Sequence, residues 1–445
     1  MSLEAGRALR AQVSRSSHAD WQPAPNRRDP IELLEDSAQG RMQDLLPLRY
    51  GRMARSPFAF FQGAAGIMAY DLQHTPNSGI RVQACGDCHL SNFGAFATPE
   101  RRLVFDLNDF DESLPAAWEW DVKRLATSFV MAARANGGGR RQSEAAQAAV
   151  ASYREHIRDF VPLSPLEAWY YQVDVQSIMD EMQDSDWRKQ PRKEVQRTLK
   201  RTIAEHYSPK LTHDPEGRIR IREHPPLVYH LPEPGDAQAL VERLKLMLEG
   251  YKASMAEERR DLFNRYRLVD CAVKVVGVGS VGTRCLIALL MDSERHPLYL
   301  QIKQASQSVL EPYFGADQAH HGQRVVVGQR RTQAASDLFL GWTQDEIGRH
   351  YYVRQQRDVK ISADVSMMTA RRLRSYAELC GRVLARAHAR LGAAAMIAGY
   401  LGRGSSFDQA IAQFALRYAN QTEADHSSLL QAIESKRLPV YWEPE

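Results

Sequence analysis

The sequence predicts an α+β protein, on three observations. Ala272–Val276 is rich in β-branched residues and runs into a glycine-rich turn. Leu298-Tyr299-Leu300-Gln301-Ile302-Lys303 alternates in the manner of a strand. Two stretches, Trp118–Ala135 and Thr369 to the C-terminus, repeat apolar residues at helical spacing instead.

Composition bounds the rest. A chain of 445 residues buries a large core and divides into two or three subdomains. The net charge of +4 is small for that length and gives no global sign of a nucleic-acid partner. Five cysteines do not make a disulfide framework and fit a reducing compartment. The first 21 residues lack the apolar core of a secretory signal, and no apolar run is long enough to span a membrane. The expected location is the cytoplasm.

Taken in order, residues 1–45 read as a polar, proline-bearing mobile arm with a helix beginning at Ile31. In Ser56-Pro57-Phe58 a cap and a first-turn proline open a helix expected to run to Leu72. Ile80–Ala84 is a short strand. The loop Cys85-Gly86-Asp87-Cys88-His89-Leu90-Ser91-Asn92 follows, then a hairpin turning at Thr98-Pro99-Glu100 and ending in Val104-Phe105-Asp106-Leu107-Asn108-Asp109. Trp118–Ala135 is helical and stops at Gly137-Gly138-Gly139. Residues 141–265 read as a charged helical insertion, 266–360 as a β lobe with further strand signal at Arg324–Val327 and Tyr351–Arg354, and 361–445 as C-terminal helices. In the last of these Leu373, Tyr376, Ala377, Cys380, Leu384, Ala387 and Leu391 share one face.

The Asp87-to-Asn92 loop carries the chemistry. Phosphoryl transfer needs a carboxylate that takes a hydroxyl proton, and an amide plus a second carboxylate that hold Mg²⁺ on nucleotide phosphates. The protein-kinase catalytic loop has this Asp-to-Asn interval, with a metal-binding Asp one hairpin later. Asp106, Asn108, Asp109, Asp111 and Glu112 crowd four carboxylates into seven positions, which a cation or arginines must neutralise; a solvated acidic turn is the plainer alternative. Gly277-x-Gly279-x-x-Gly282 is open to three readings. A Rossmann turn lacks its ribose-binding acid, since position 302 is Ile and 303 is Lys. A structural turn needs no ligand. A phosphate-covering hairpin requires a strand after the loop and a third strand ending in Lys, which Lys303 supplies. Glu311 is the candidate partner of Lys303, or an exposed surface acid. Asp121 either hydrogen-bonds the backbone of the catalytic loop or is a helix N-terminal Asp favoured by the dipole. His388 reads as a packed, satisfied histidine. Cys85-x-x-Cys88-His89 also matches a haem-attachment pattern or a redox dithiol, either of which leaves Asp87, Asn92 and Asp106 without a role.

These segments resemble a bacterial family, the domain of unknown function 2252. The resemblance is carried by Ser56–Gly63, Gly86–Gly94, Phe105–Glu112, Trp118–Leu125, Gln333-Ala334-Ala335-Ser336-Asp337 and Tyr352-Val353-Arg354-Gln355. Residues 86–94 and 104–109 are also similar to the active segments of aminoglycoside and choline phosphotransferases. The resemblance implies a protein-kinase-like two-lobe fold, circularly permuted because Lys303 follows the catalytic loop, with a helical insertion. It implies ATP and Mg²⁺ as cofactors and a phosphotransferase acting on a small-molecule acceptor. Asp87 would be the base, Asn92 and Asp106 metal ligands, and Asp109 the alternative ligand if the register is shifted. Gly277, Gly279, Gly282, Lys303 and Glu311 would serve the nucleotide. A nucleotide-binding pseudokinase and a nucleotidyltransferase are the alternatives on the same scaffold.

Overall fold

The computed structural model describes residues 2–181, 211–213, 219–231, 234–275, 277–356, 360–361 and 363–443. Val276 and the stretches 182–210 and 214–218 of the expected insertion lie outside the described residues.

The largest sheet is antiparallel and six-stranded. It orders the strands Gly341–Gln344 (β11), His350–Gln355 (β12), Pro297–Gln304 (β10), Cys285–Met291 (β9), Arg267–Lys274 (β8) and Val228–Tyr229 (β7). The preceding strands are Arg81–Ala84 (β1), Phe93–Ala97 (β2), Leu103–Leu107 (β3), Leu114–Ala117 (β4), Leu211–His213 (β5) and Ile219–Ile221 (β6), and Lys360–Ile361 (β13) follows. Here β1 pairs with β4, β5 with β6, and β2 lies between β13 and β3.

Period-2 alternation decides what β10 presents on each face. Leu298, Leu300 and Ile302 point into a core shared with Leu244, Leu248 and Tyr251 of helix Pro234–Lys252. The opposite face carries Tyr299, Gln301 and Lys303, and the last two reach the cleft described below.

The second mass of the protein is helical. Its long helices are Trp118–Ala135 (α1), Glu144–Asp159 (α2), Ala370–Ala389 (α3) and Ser406–Glu434 (α4). They bury Trp118, Phe129, Tyr153, Ile157, Tyr376, Phe407 and Phe414 in one core, with Trp118 stacked on Tyr153 at 5.6 Å. Full burial of one such aromatic removes about 150–250 Å² from water, so this core dominates the helical region. The expected face of α3 is buried except for Leu391, which lies past the helix end and is exposed.

Four expectations are revised. Residues 2–30 are not a free arm. Arg10 Nε donates to Tyr400 O (2.8 Å), and Arg27 makes a buried double ion pair with Asp71 and Asp425, 2.7 Å to each. Residues 141–265 are not only a helical insertion, since α2 packs in the main core against α3 and β7 extends the large sheet. The helix from Pro57 stops at Gly63 and a second one begins at Ala65. Arg324–Val327 is helical, inside His321–Thr332 (labelled α5 for this segment). Its three consecutive valines favour a strand by propensity, but burial of Val325 and Val326 and a His320 cap on the Gln323 N–H stabilise a helix there.

Candidate active site

The loop after β1 is held from below by α1. Asp121 accepts the Cys85 N–H on Oδ2 (2.6 Å) and the Gly86 N–H on Oδ1 (2.9 Å). Its Oδ2 also lies 3.2 Å from His388 Nε2, while His388 Nδ1 lies 2.8 Å from the Tyr153 hydroxyl. His388 is therefore the satisfied buried histidine expected, and Asp121 shapes the loop. Gly86 has φ +81°, and a Cβ there would sit 2.4 Å from Glu112 O, so both conformation and space require glycine. Ser128 Oγ accepts the Leu90 N–H (3.0 Å), and Asn92 Nδ2 donates to Asp87 O (2.7 Å), which leaves the Asn92 carbonyl oxygen for the cleft.

Asp87 is oriented by Arg124. The guanidinium binds Asp87 Oδ1 through Nε (2.6 Å) and Nη2 (2.5 Å), donates to Phe61 O (3.0 Å) and lies 4.4 Å over the Phe61 ring. His89 Nε2 lies 3.7 Å from Oδ2. Burial, only partly offset by Asp87, lowers the His89 pKa, so the ring is neutral near pH 7.

The acidic hairpin divides into buried and cleft-facing acids. Asp106, expected as the main metal ligand, is 0 % exposed and away from the cleft. Its Oδ1 accepts from Arg386 Nη2 (2.6 Å) and from the Leu107 N–H (2.8 Å), and its Oδ2 from the Ala334 N–H (2.7 Å). It serves as a tie between β3, α3 and the segment after α5. The reason is that β3 is buried on both faces through Leu107, so the first acid beyond the strand is Asp109. Asp109, Asp111 and Glu112 line the cleft together with Asp87 and Asn92. Burial pushes Asp109 up, but Lys303 and then Arg354 outweigh it and hold the carboxyl below its usual range. Glu112 lies above its usual range because burial outweighs Arg324.

The glycine-rich turn joins β8 to β9 as an antiparallel hairpin. A Rossmann turn would lead into a helix and a parallel strand, so that reading does not apply. Gly282 takes φ +88°, and its carbonyl accepts the Met42 N–H (2.7 Å). Lys303 lies under this turn. Its ammonium donates to Ser280 Oγ (2.8 Å) and pairs with Asp111 Oδ2. Burial alone would lower the Lys303 pKa; Asp111, then Tyr352 and Asp109, raise it above the ordinary lysine value. Glu311 is not the partner of Lys303. It accepts the Ser308 N–H (3.0 Å) and pairs with Arg324 (3.3 Å), because the short helix it opens turns away after Ser308.

These pieces enclose one cleft of about 1140 Å³, slightly larger than the roughly 300–1,000 Å³ usual for small-molecule sites. Asp87, Asn92 and Asp109 stand on one wall, and Gly277, Gly279 and Lys303 on the other, with Lys274 and Arg354 beside Lys303. Arg354 donates to Gln301 Oε1 (2.9 Å) and Asn108 O (3.3 Å) and so links the two walls. Asp111 Oδ1 is buried with no hydrogen-bond partner among the described residues. With Asn92 and Asp109 it offers the one or two carboxylates on which Mg²⁺ relies when phosphates complete its shell. Among the described residues no group of three His, Cys, Asp or Glu side chains forms a ready metal cage. Cys88 is fully buried, and burial, then the neighbouring Cys85, pushes its thiol well above the usual range, which makes it a poor nucleophile.

Sequence reasoning gave no role to Arg124, Lys274 and Arg354, and it named Asp111 only as one acid of the hairpin cluster, not as the partner of Lys303. One signal was available: Asp121 and Arg124 are three apart on a helix, hence on one face, and both touch the Asp87 loop.

Residues 41–432 match the family described as "Uncharacterized protein conserved in bacteria (DUF2252)". No curated protein and no solved structure matches the chain.

Proposed function

The chain belongs to the DUF2252 family, and we propose that it is an ATP- and Mg²⁺-dependent phosphotransferase of circularly permuted, protein-kinase-like fold acting on a small-molecule acceptor. The observation that carries the proposal is the meeting of Lys303 and Ser280 with Asp111 across a cleft that also holds Asp87 and Asn92. A lysine on the third strand of an antiparallel meander, beneath a glycine-rich turn and facing an Asp–Asn loop, is the arrangement that phosphoryl transfer uses.

Each residue then has a role. Gly277 and Gly279 let backbone N–H groups approach the phosphates, and Lys303, Lys274 and Arg354 neutralise them. Asn92 and Asp109, with Asp111 beside them, would hold Mg²⁺; when bound, the ion neutralises charge on the transferred phosphoryl group. Asp87 receives the acceptor's hydroxyl proton on Oδ2, while Arg124 fixes its other oxygen. Substituting Asp87→Asn should leave binding of a non-hydrolysable ATP analogue intact and lower Mg²⁺-dependent turnover by about 10²–10⁴. Turnover at the wild-type rate would remove the assignment.

One observation favours a nucleotide-binding pseudokinase instead. Lys303 and Asp87 are already paired, with Asp111 and Arg124 respectively. ATP-analogue binding with no hydrolysis and no transfer to any hydroxyl or amine acceptor would select that reading.

A further inference from the structure

Beyond the phosphate-facing wall the cleft continues toward the N-terminal segment, where Arg41 and Arg49 line it. Arg49 lies in the helix Leu46–Ala54 and is 1 % exposed. Its Nη2 donates to Ser37 Oγ (3.0 Å) and Gly63 O (3.3 Å). Its Nε and Nη1 are buried with no hydrogen-bond partner among the described residues. Arg41 donates through Nε to Ser37 O (2.9 Å) and through Nη1 to Val281 O (2.7 Å), so it sits against the end of the glycine-rich turn.

A buried cation without a counter-charge is expensive, because low-dielectric surroundings replace water and nothing repays the loss. Most of the other buried arginines of this protein obey that rule; Arg390, which has no ion pair among the described residues, lies instead over the Trp169 ring and donates to Gln333 O. Arg27 faces Asp71 and Asp425, Arg124 faces Asp87, Arg154 faces Asp408, and Arg386 faces Asp106. Arg49 has no such carboxylate. Burial and then the neighbouring Arg41 lower its pKa to about 9, a shift that Tyr50 only partly offsets. The nearest acids, Glu112 and Asp111, act on Arg41. Arg41 and Arg49 thus converge on one part of the cleft, and among the described residues neither is in an ion pair with a carboxylate.

We propose that Arg41 and Arg49 form an anion-binding subsite of the cleft that takes a phosphate or carboxylate group of the ligand. On the phosphotransferase reading, on which this attribution rests, the anion is either a phosphate of the nucleotide or an acidic substituent of the acceptor. Its place beside Val281 and Gly282, one turn from the Ser280–Lys303 contact, puts it within reach of both.

The test is calorimetric titration of the full chain with inorganic phosphate, alone and with saturating AMP-PNP and Mg²⁺. The wild type should bind phosphate, and both Arg49→Met and Arg41→Gln should weaken it at least tenfold. Arg49→Met should unfold at the same or a higher temperature than wild type without phosphate, since it removes an uncompensated charge. Arg41→Gln, at a partly exposed position, provides a second folded variant. Displacement of phosphate by AMP-PNP assigns the subsite to the nucleotide, and simultaneous binding assigns it to the acceptor. Phosphate affinity unchanged in both variants, or no phosphate binding by wild type, overturns the subsite. Absence of AMP-PNP binding, with phosphate still dependent on Arg49, would instead remove the phosphotransferase reading and leave the subsite standing.

Discussion

The proposed exchange of Asp106 for Asp109 as Mg²⁺ ligand predicts opposite behaviour of two isosteric substitutions. Asp106→Asn acts on a carboxylate with no exposure whose three hydrogen bonds come from Arg386, Leu107 and Ala334. An asparagine can keep its carbonyl toward Arg386 and Leu107, but its amide then meets the Ala334 N–H, donor against donor. The charge loss also strands Arg386, which already has Nε and Nη1 without hydrogen-bond partners among the described residues. Breaking a buried pair in this way costs about 3–5 kcal/mol. Asp109→Asn removes a charge at the cleft wall, where Lys303 and Arg354 retain other partners, and should cost about 1 kcal/mol or less. Urea unfolding and Mg²⁺-dependent ATP turnover separate the two. Asp109→Asn should keep its fold and lose turnover by 100-fold or more, whereas Asp106→Asn should lose stability first. An Asp106→Asn protein as stable as wild type but inactive, beside an active Asp109→Asn protein, would refute the reasoning.

Three further outcomes are expected. Gly86→Ala should lower stability by about 1–3 kcal/mol and reduce turnover, because φ +81° and the Glu112 carbonyl leave no room for a methyl group; a denaturation midpoint equal to wild type would contradict this. Burial and then the stacked His350 lower the His320 pKa to about 4, so the unfolded chain takes up its proton first as pH falls. Stability from this group is complete above about pH 6.5 and declines as pH falls toward 4; His320→Asn, which keeps a cap acceptor for Gln323, should flatten that part of a stability–pH curve. Nucleotide and Mg²⁺ should bind synergistically, since phosphates alone would pull Lys303 away and leave Asp111 bare, and the ion alone would leave Lys303 bare. Calorimetry with AMP-PNP, with and without EDTA, should show at least a tenfold difference in affinity, and equal affinities would count against the cleft assignment.

What the sequence made legible was local. The glycine, acid and amide of residues 86–92 lie within one turn of chain, and their clamp by Asp121 follows from a helix beginning three residues earlier, at Trp118. Lys303 was legible because strand alternation fixes its face once the strand is identified. Its partner was not, since Asp111 lies 192 residues away and sequence distance carries no sign of that contact. Asp106 misled because the apolar–apolar–Asp pattern reads the same whether the strand ends at 106 or at Leu107. The N-terminal segment misled through composition. Prolines and arginines read as solvated chain, yet Arg10, Arg15 and Arg27 each find buried acceptors on helices some 390 residues later. In each case a long-range partner converts a polar residue into a structural one.

The order of segments is the main oddity of the proposed kinase-like reading, since the lysine strand follows the catalytic loop. Its energetic weight is small. Loop-closure entropy grows only as (3/2)RT ln n, so tripling the chain length between two contacting groups costs about 1 kcal/mol. A single well-placed buried ion pair has larger consequences than that when broken. The contact between Lys303 and Asp111 spans 192 residues, and the one between Arg386 and Asp106 spans 280. Chain order is therefore a weak constraint on which groups can share a cleft, and charge complementarity is the strong one. Lys303 and Arg354 on one wall compensate Asp109 and Asp111 on the other without ligand, while Asp87 is paired with Arg124. They remain compensated when phosphates join the cations and a divalent ion joins the acids. That paired exchange is what the proposed activity requires of this fold, and it places no demand on the order in which the chain delivers the two walls.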